Sequence, residues 1–539
     1  MNDEGPKHAD DLYISLKFPP MTDVSGIVLA KIALLNGKPI DVVHNYIEEP
    51  VDDDFNEIIE KLINHRIIIK NFELTTNKKA LNKSFNKYIK EGMEKLEETN
   101  PNYKTITTRS WGIQPNFLAL EYKLKHPETE WIAEFSDPII FDINNKRRNV
   151  NISPDDEEYV KKINAEIDKI NEKISEDGED FQFEKLNKED DIYLLCEYLA
   201  YIFADKVRFT NENQREVMLS QFPYDVKDFV MKKSEIFPHP TLDEEYYHIK
   251  EIDYEVEEDC INIGYFGTYF GKRNFEPIFY AIESLDDEIK NKIKLHLFIM
   301  YGDNLKSLTN NLSVSENIKV NEKVSLLEFL NLCTKFDILL VNDTETKETF
   351  KINPYRPSKI ADYIGSKKDI WGICEKGSVM SSLEEIKYKS YINDFHSAKL
   401  VMNQIVNDFS SKLNLSQNLT SNEKSQNKEK LDDYFLKHYN KKFDEVTEEE
   451  ILEIIDENNF LIGRVNLLNH LFNGVTGRSL FPHEAERLQR KNKKLEGKTK
   501  KLEGENKKLK RNNKKLKKDL KYLKTNKGSI KYHLKKIIK

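Results

Sequence analysis

The stretch NPYRPSKIADYIGS, residues 353–366, combines the residue types of a phosphate-binding loop that leads into a helix. Pro357 and Ser358 suit the start of a helix, as N-terminal proline and capping residue, and the free backbone N–H groups there attract anions. Lys359 would add a positive charge at this point, and Arg356 lies close by in sequence. The same pattern also fits an ordinary capped helix with exposed basic residues, and spacing alone leaves both interpretations open.

A second stretch with phosphate-binding features, GYFGTYFGKRN at residues 264–274, follows the first predicted strand of the same region. Gly267 lets the backbone approach a ligand closely, Thr268 can donate its hydroxyl, and Arg273 can pair with a diphosphate through two hydrogen bonds. The spacing is not G-x-G-x-x-G, so the dinucleotide-binding fingerprint is absent. Both stretches follow predicted strands, and open α/β sheets bind their ligands at the carboxyl ends of strands.

The elements that must position these loops are strands and helices in alternation. Short continuous apolar runs, separated by helical patterns, indicate buried parallel strands on both sides of a proline-containing, acidic linker. This alternation predicts two doubly wound α/β domains, followed by a helical and coiled-coil extension. In the second half the expected strands and helices cover residues 261–266, 275–285, 295–301, 326–332, 338–341, 358–364 and 370–374.

We expect six segments along the chain, and the first domain includes a charged, weakly apolar helical insertion on its surface at residues 151–190. The segments are the first domain, the linker, the second domain, a flexible linker, a helical segment and a basic coiled coil with an amphipathic tail, at residues 1–240, 241–258, 259–412, 413–430, 431–483 and 484–539.

His239, in the sequence FPHP, is expected to shape the linker rather than to bind a metal.

The two loop motifs together resemble the donor-binding domain of GT-B glycosyltransferases, most of all their retaining polysaccharide and cell-wall group. The motifs are G-x-x-x-x-x-R-N near residue 267 and N-P-Y-x-P-S-K-x-x-D-Y near residue 353. The resemblance extends over roughly residues 11–405. In the first half it rests on Phe18-Pro-Pro20, Ser25-Gly26, Thr108-Arg-Ser110, residues 130–138 (EWIAEFSDP) and residues 209–214 (FTNENQ).

This resemblance implies two Rossmann-like domains facing a cleft, the first binding an acceptor and the second a nucleoside-diphosphate sugar. By matching motif positions, Arg273 and Lys359 would neutralise the leaving diphosphate, and Asp362 would lie near the nucleotide ribose. The resemblance further implies no cofactor and no metal, with a leaving phosphate that itself takes the acceptor proton. The other implied positions are Gly267, Thr268, Tyr355, Pro357 and Ser358 for the donor, and Ser25, Gly26, Arg109, Asn116 and Asp137 for the acceptor.

Three positions depart from the pattern of that family. The first Glu of its E-x7-E pair falls at Pro354, and a His that relatives often carry falls at Asn116, which cannot act as a general base. The Gly that usually follows the second-Glu helix falls at Lys367. Two hypotheses therefore stay open: a retaining, hexosyl-type glycosyltransferase of polysaccharide or glycoconjugate synthesis, and a non-catalytic scaffold that binds a nucleotide sugar or glycan.

Charge is distributed very unevenly along the 539 residues. Residues 484–539 hold 23 Lys/Arg and 6 Asp/Glu, a net of +17, so the first 483 residues carry −26 of the total −9. The four cysteines are far apart and form no C-x-x-C pair, which argues against a disulfide framework or a structural zinc site. The N-terminus has no signal-peptide pattern, so a cytoplasmic protein is expected.

The basic tail repeats leucine every seventh residue, which predicts a coiled-coil seam, although an isolated helix is an open alternative. Its last residues form a basic amphipathic end of the interfacial type, and it has few aromatic side chains for stacking nucleic-acid bases. We therefore expect a homo-oligomer held peripherally on the anionic inner face of the cell membrane. The repeated leucines are Leu488, Leu495, Leu502, Leu509, Leu516 and Leu523.

Overall fold

The chain divides into two units, Met1–Val465 and Asn466–Lys539. A computed structural model describes residues 9–45, 51–70, 78–99, 102–110, 112–148, 150, 157–178, 180–187, 190–268, 275–300, 309 and 312–413, all in the first unit. The predicted flexible linker, helical segment and coiled coil beyond residue 413 lie outside the described residues, as does Arg273.

The first sheet has seven parallel strands in the order β3-β2-β1-β4-β5-β6-β7. The order reverses beside β1, which places a crevice outside the carboxyl ends of β1 and β4. Buried apolar side chains on both faces explain why these strands read as continuous apolar runs. The strands are β1 (Asp11–Ile14), β2 (Ile40–Asn45), β3 (Ile63–Ile69), β4 (Thr105–Ser110), β5 (Glu130–Phe135), β6 (Lys206–Phe209) and β7 (Ser234–Ile236).

Helices cover this sheet, and local signals explain where the first of them begins and ends. Asp23 caps it by accepting hydrogen bonds from two backbone N–H groups, and Gly37 ends it with φ of 63°. The helices are α1 (Val24–Asn36), α2 (Asp53–Glu60), α3 (Lys78–Thr99), α4 (Gln114–Lys125), α5 (Glu157–Glu176), α6 (Ile192–Phe203), α7 (Glu212–Leu219) and α8 (Tyr224–Lys233).

The segment expected to be a surface insertion is helical, but it is part of the first core. Val160, Ile163 and Ile167 of α5 are buried with the strands of the first sheet. The amide of Asn171 then accepts from the backbone N–H of Phe183 at 2.7 Å and donates to its oxygen at 3.0 Å. The apolar stripe of a charged helix was the signal for this packing.

The second sheet has six parallel strands in the order β10-β9-β8-β11-β12-β13, with a reversal beside β8. Two parallel sheets with helices confirm the predicted α/β class with two Rossmann-like domains. The strands are β8 (Ile261–Thr268), β9 (Ile293–Met300), β10 (Ile318–Glu322), β11 (Ile338–Asn342), β12 (Asp369–Cys374) and β13 (Tyr388–Tyr391). The helices are α9 (Glu276–Glu283), α10 (Asp287–Lys290), α11 (Leu326–Cys333), α12 (Lys359–Gly365), α13 (Val379–Ser382) and α14 (Phe395–Asp408).

The segment between the two sheets is packed against both of them. Leu242 and Tyr247 are buried in one apolar cluster with side chains of α1 and α2 and with Leu327 and Leu330 of α11. Asp52 adds a polar link, because its carboxylate caps α2 and also accepts from the backbone N–H of Leu326 at 2.7 Å. The two sheets therefore share a core beside the linker.

No helix in the described ranges is long and apolar enough to cross a membrane. The most apolar of them, α1 and α6, are short and are buried against the first sheet. Their hydrophobic character is thus accounted for by packing inside the first domain.

Glu197 of α6 fixes the chain that follows β5. It is fully buried, and one carboxylate oxygen accepts the backbone N–H groups of Ile139 and Ile140 at 2.8 and 3.0 Å. The other oxygen accepts the hydroxyl of Tyr201 at 3.3 Å. Burial raises the pKa of Glu197 from 4.5 to about 7, and these hydrogen bonds oppose the rise.

We predict that Glu197→Gln removes a pH dependence of folding stability. The folded protein keeps the Glu197 proton up to about pH 7, whereas the unfolded chain releases it near 4.5. The free energy of unfolding therefore falls, by about 3 kcal/mol in all, as pH rises through this window. Glutamine keeps the accepting oxygen and cannot ionise.

Urea unfolding of both proteins at about pH 5 and about pH 8 measures this difference. The wild type should lose more stability than the variant on going to the higher pH. Equal losses in the two proteins would show that Glu197 does not hold its proton in the folded state.

Candidate active site

The carboxyl ends of the two sheets meet, and the described parts of the two sequence motifs, residues 264–268 and 353–366, lie there. β8 ends at Gly267 and Thr268, and β11 is followed by the long loop 343–358 that leads to α12. From the first sheet, Asn211 follows β6, and its side-chain amide donates to the backbone oxygen of Pro354 at 3.0 Å. Residues that follow β6, β8 and β11 therefore form a cleft between the two domains.

Loop 343–358 is fixed by hydrogen bonds of its own. The buried amide of Asn353 donates to the backbone oxygen of Thr344 at 3.0 Å and accepts from the N–H of Tyr355 at 3.0 Å. The ring of Tyr355 packs edge-on against Phe350, with centroids 5.9 Å apart. These contacts set the backbone conformation of the segment that the resemblance assigns to donor binding.

Two carboxylates anchor the start of this loop to β12. Asp343 accepts from the backbone N–H of Glu375 at 3.1 Å, and Glu375 accepts from the N–H and the hydroxyl of Thr346 at 2.8 and 2.6 Å. Burial raises the pKa of Asp343 to about 6, and hydrogen bonds from Ser378 and Glu375 oppose the rise. Both acidic side chains therefore hold the loop in place.

Lys359 is the positive charge that the structure brings to the end of β8. Its ammonium donates to the backbone oxygen of Phe266 and lies 5.3 Å from the centroid of the Tyr265 ring. Gly267 has φ of 152°, and a Cβ at that position would collide with the ammonium. The two motifs, which are far apart in sequence, are thus in direct contact through Lys359.

Pro357 and Ser358 precede α12 as expected, but the predicted side-chain cap is wrong. Ser358 stands at the N-cap position with φ and ψ of −62° and −32°, and its side chain makes no capping hydrogen bond. Because its backbone is already helical, the hydroxyl does not reach the following N–H groups as an extended cap residue does. Lys359, which supplies the positive charge at this point, is the first residue of α12.

Asp362 lies in a buried ion pair that joins the two sheets. Its carboxylate accepts from the ammonium of Lys31 in α1, and the two side chains are 7% and 4% exposed. Burial raises the pKa of Asp362, and the positive charges of Lys31 and Lys359 oppose that rise. The carboxylate that the resemblance places near a ribose is held by the first domain in this structure.

A second buried charge cluster lies on the first-sheet side of the cleft. Arg109 forms an ion pair with Glu134, and its Nη2 donates to Nδ1 of His239 at 3.1 Å. Burial lowers the pKa of Arg109 to about 10, although the negative charges of Asp137 and Asp23 oppose this. Burial also raises the pKa of Asp137, which Arg109 in turn opposes. Arg109 and Asp137 therefore belong to one electrostatic cluster.

The other residues predicted on the acceptor side have structural contacts. Asp23 accepts from the backbone N–H groups of Ser25 and Gly26 at 3.0 and 3.3 Å. A Cβ at Gly26 would collide with the backbone oxygen of Lys17, so the glycine lets α1 approach the loop after β1. Asn116 donates to a buried cysteine of α6 at 3.6 Å, which places it in the core between α4 and α6.

Sequence reasoning missed several residues that make contacts between the two sheets, among them Lys31, Asn211, Asn213 and His239. Lys31 had a visible signal, because it is the one charged side chain in the apolar helix VSGIVLAKIALLN. The other three are polar residues near strand ends, and their partners lie more than 100 residues away. Such partners become visible only in three dimensions.

One predicted residue, Arg273, lies outside the described residues, so its contact with a diphosphate stays a prediction. Within the part of the chain that the structure describes, no three His, Cys, Asp or Glu side chains cluster as ligands of a metal ion. Among the described residues, Lys31, Arg109, Arg356 and Lys359 bring positive charge to the region between the two sheets, and the first two of them are almost fully buried.

No protein-family model matches the sequence, and no curated protein is significantly similar to it. Among solved structures, Anabaena HepE in complex with UDP and glucose is similar at 10% identity and a TM-score of 0.46, over 75% of this chain and 91% of its own. A putative UDP-N-acetylglucosamine 2-epimerase from Listeria monocytogenes is similar at 10% identity and a TM-score of 0.42, over 80% of this chain and 97% of its own.

WaaG, a glycosyltransferase involved in lipopolysaccharide biosynthesis, is similar at 10% identity and a TM-score of 0.39, over 75% of this chain and 92% of its own. At these identities the likeness concerns the fold alone.

We predict that the ion pair between Lys31 and Asp362 is strongly coupled. Lys31→Met leaves a buried carboxylate without its partner, which typically costs about 3–5 kcal/mol of folding stability. The double variant Lys31→Met/Asp362→Leu replaces both charges by apolar groups and should recover most of that loss. Denaturant unfolding of the wild type, the two single variants and the double variant measures the coupling.

The exposed ion pair between Lys104 and Asp10 is a matched control, because solvent screens such pairs. Its single variants should change stability little. Additive effects of the Lys31 and Asp362 substitutions would contradict a buried, mutually dependent pair.

Proposed function

We propose that this protein is a glycosyltransferase that moves a sugar from a nucleoside-diphosphate sugar to a glycan or lipid-linked acceptor. The donor binds at the second sheet, between β8 and the start of α12, and the acceptor binds at the first sheet. The position of Lys359 is the observation that carries this proposal. It is a partly buried positive charge at the carboxyl end of the central strand β8, where open α/β sheets bind their ligands.

In the proposed reaction, negative charge develops on the diphosphate as its bond to the sugar breaks. A positive charge held in place before the reaction stabilises that charge without reorganisation. Lys359 is held in this way by the Phe266 oxygen and the Tyr265 ring, and the glycine at 267 leaves the space it occupies. Arg273, at the matching motif position, would add a second positive charge.

The finer features of the proposal come from the resemblance to the retaining GT-B group. They are transfer with retention, a hexosyl donor, positive side chains in place of a metal, and transfer of the acceptor proton to the leaving phosphate. Asp137 supports an acceptor site on the first sheet, because a partly exposed carboxylate there can orient a sugar hydroxyl, and Arg109 lies buried in the same electrostatic cluster. Such groups discriminate well between acceptors when they are buried.

The alternative is a non-catalytic member that binds a nucleotide sugar or glycan and scaffolds an assembly. Two observations favour it. Pro354 stands where the family carries a Glu and offers only its backbone oxygen, which already accepts from Asn211. Asp362, the second acidic position of that pair, is engaged by Lys31. A scaffold would bind the donor without turning it over.

We propose that residues 484–539 act in placement of the enzyme rather than in catalysis. Their net charge of +17 and heptad leucines support attachment to an anionic membrane face and self-association. Both features suit cell-surface polysaccharide or glycoconjugate synthesis on lipid-linked acceptors at the inner face of the membrane.

We predict that Lys359→Ala and Arg273→Ala each reduce sugar transfer by about 100-fold or more in kcat, because each removes charge stabilisation from the leaving diphosphate. Lys319→Ala is the matched control, since its ammonium also lies over a tyrosine ring, 4.5 Å from the centroid of Tyr254, but on the strand β10. Turnover of a panel of nucleoside-diphosphate sugars, with release of the nucleotide as readout, measures the effect.

Both variants should unfold at temperatures near that of the wild type. Their loss of activity then reports on the site and not on a loss of folding. Full activity in both Lys359→Ala and Arg273→Ala would overturn the site assignment. Donor binding with no turnover by the wild type, over the whole panel and with several acceptors, would favour the scaffold.

A further inference from the structure

Side chains of the first domain donate hydrogen bonds to the backbone oxygens of loop 343–358. Because the accepting atoms are backbone oxygens, these contacts do not depend on which side chains the loop itself carries. The donor side chains, accepting oxygens and distances are Asn145 to Thr349 at 2.6 Å, Asn213 to Asn353 at 3.1 Å, Asn211 to Pro354 at 3.0 Å, and His239 to Arg356 at 3.4 Å.

Asn211 serves the first domain and the loop at the same time. It is fully buried, and its side-chain oxygen caps α7 by accepting from the backbone N–H of Gln214 at 2.9 Å. Its amide nitrogen donates to the hydroxyl of Thr210 and to the Pro354 oxygen, each at 3.0 Å. The oxygen thus stabilises the first domain, and the nitrogen is the atom that reaches the loop.

Asn213, in the first turn of α7, faces the second domain. Its amide nitrogen donates to the Asn353 oxygen at 3.1 Å and lies 3.4 Å from the oxygen of Gly377, which follows β12. Both partners belong to the second domain. Asn213 therefore offers a way to change the contact between the domains while leaving the hydrogen bonds of the first sheet intact.

His239 extends this arrangement to the charged cluster of the first domain. Its Nδ1 accepts from Arg109, so its Nε2 carries the proton that is donated to the Arg356 oxygen at 3.4 Å. Burial and the neighbouring positive charges of Arg109 and Arg356 lower the pKa of His239, which agrees with a neutral ring. The residue expected to shape the linker thus links Arg109 to the loop.

We infer that Asn211, Asn213 and His239 are positioning residues for loop 343–358, because they hold the backbone of this loop from the first domain. The inference rests on the proposed function, because it takes this loop as part of the donor site. These three side chains contact the backbone of the loop and are not themselves proposed to contact the donor. They act by holding the backbone that carries Tyr355 and leads into Lys359.

Through these hydrogen bonds, the conformation of the loop depends on how the two domains are placed relative to each other. If the sheets separate, each of these carbonyls loses its donor at once, and the stretch from Thr349 to Arg356 keeps only the contacts made within the second domain. A ligand that binds the ordered loop therefore favours the closed arrangement, and closure in turn strengthens binding.

The test is Asn213→Asp in the full-length protein. A carboxylate at this position faces two carbonyl oxygens and repels them, while it suits the first turn of α7, where negative charge is stabilising. Asn211→Asp is the second variant, because aspartate keeps the helix cap and removes the N–H donor. Gln221→Glu is the matched control, since it makes the same amide-to-carboxylate change at an exposed site near the same helix.

Two measurements are made on each protein. Hydrogen–deuterium exchange of peptides that cover residues 350–363, without any ligand, reports whether the loop is held. Calorimetric titration with UDP reports binding of a nucleoside diphosphate. We expect both aspartate variants to speed exchange in these peptides and to weaken UDP binding by about tenfold, which is the loss expected for one or two hydrogen bonds. The control should match the wild type in both.

Unchanged exchange of the loop in both aspartate variants would overturn the positioning role. An equal rise of exchange in the strands of the first sheet would overturn it as well, because the substitutions would then act by unfolding that domain. Faster exchange confined to the loop supports the inference even if the wild type binds no UDP. In that case the proposed function fails for UDP while the positioning role stands.

Discussion

A lysine and an aspartate that face each other away from water join the two halves of this protein. Removing two charges from solvent is expensive unless their geometry is kept, so the pair between Lys31 and Asp362 fixes where α1 and α12 lie relative to each other. The apolar cluster around Tyr247 and Leu330 supplies the non-directional part of the same interface. Lys359 lies one turn before Asp362 on α12, so its position follows from that of the pair.

Because this ion pair holds the two domains together, the two sides of the cleft depend on each other for their hydrogen-bond partners. The second sheet contributes Lys359 and a loop whose backbone oxygens need donors. The first sheet supplies those donors and keeps a buried cluster of Arg109, Glu134 and Asp137 on the opposite wall. A site of this kind suits a reaction in which a donor and an acceptor are brought together away from water. Fixed charges act more strongly where water is excluded, because they are less screened.

Much of the fold could be predicted from the sequence, because central parallel strands are continuous apolar runs, as in residues 130–135 and 261–268. Edge strands such as Ile318–Glu322 alternate polar and apolar residues over a short stretch and gave no clear signal. In the site, both motifs were expected at carboxyl ends of strands, where open sheets bind ligands, and Gly267 and Lys359 are in contact there. The partner of Lys31, 331 residues away, could not be inferred, because local patterns carry no information about it.

The central claim is that the cleft binds a nucleoside-diphosphate sugar through its diphosphate. The most direct measurement is a thermal-shift panel of UDP-, GDP-, ADP- and dTDP-sugars on the intact protein, each compared with its phosphate-free nucleoside. We expect one class of diphosphate sugar to raise the unfolding temperature with increasing concentration, and its nucleoside to leave that temperature unchanged. No shift with any diphosphate sugar, or an equal shift with the bare nucleoside, would contradict the central claim.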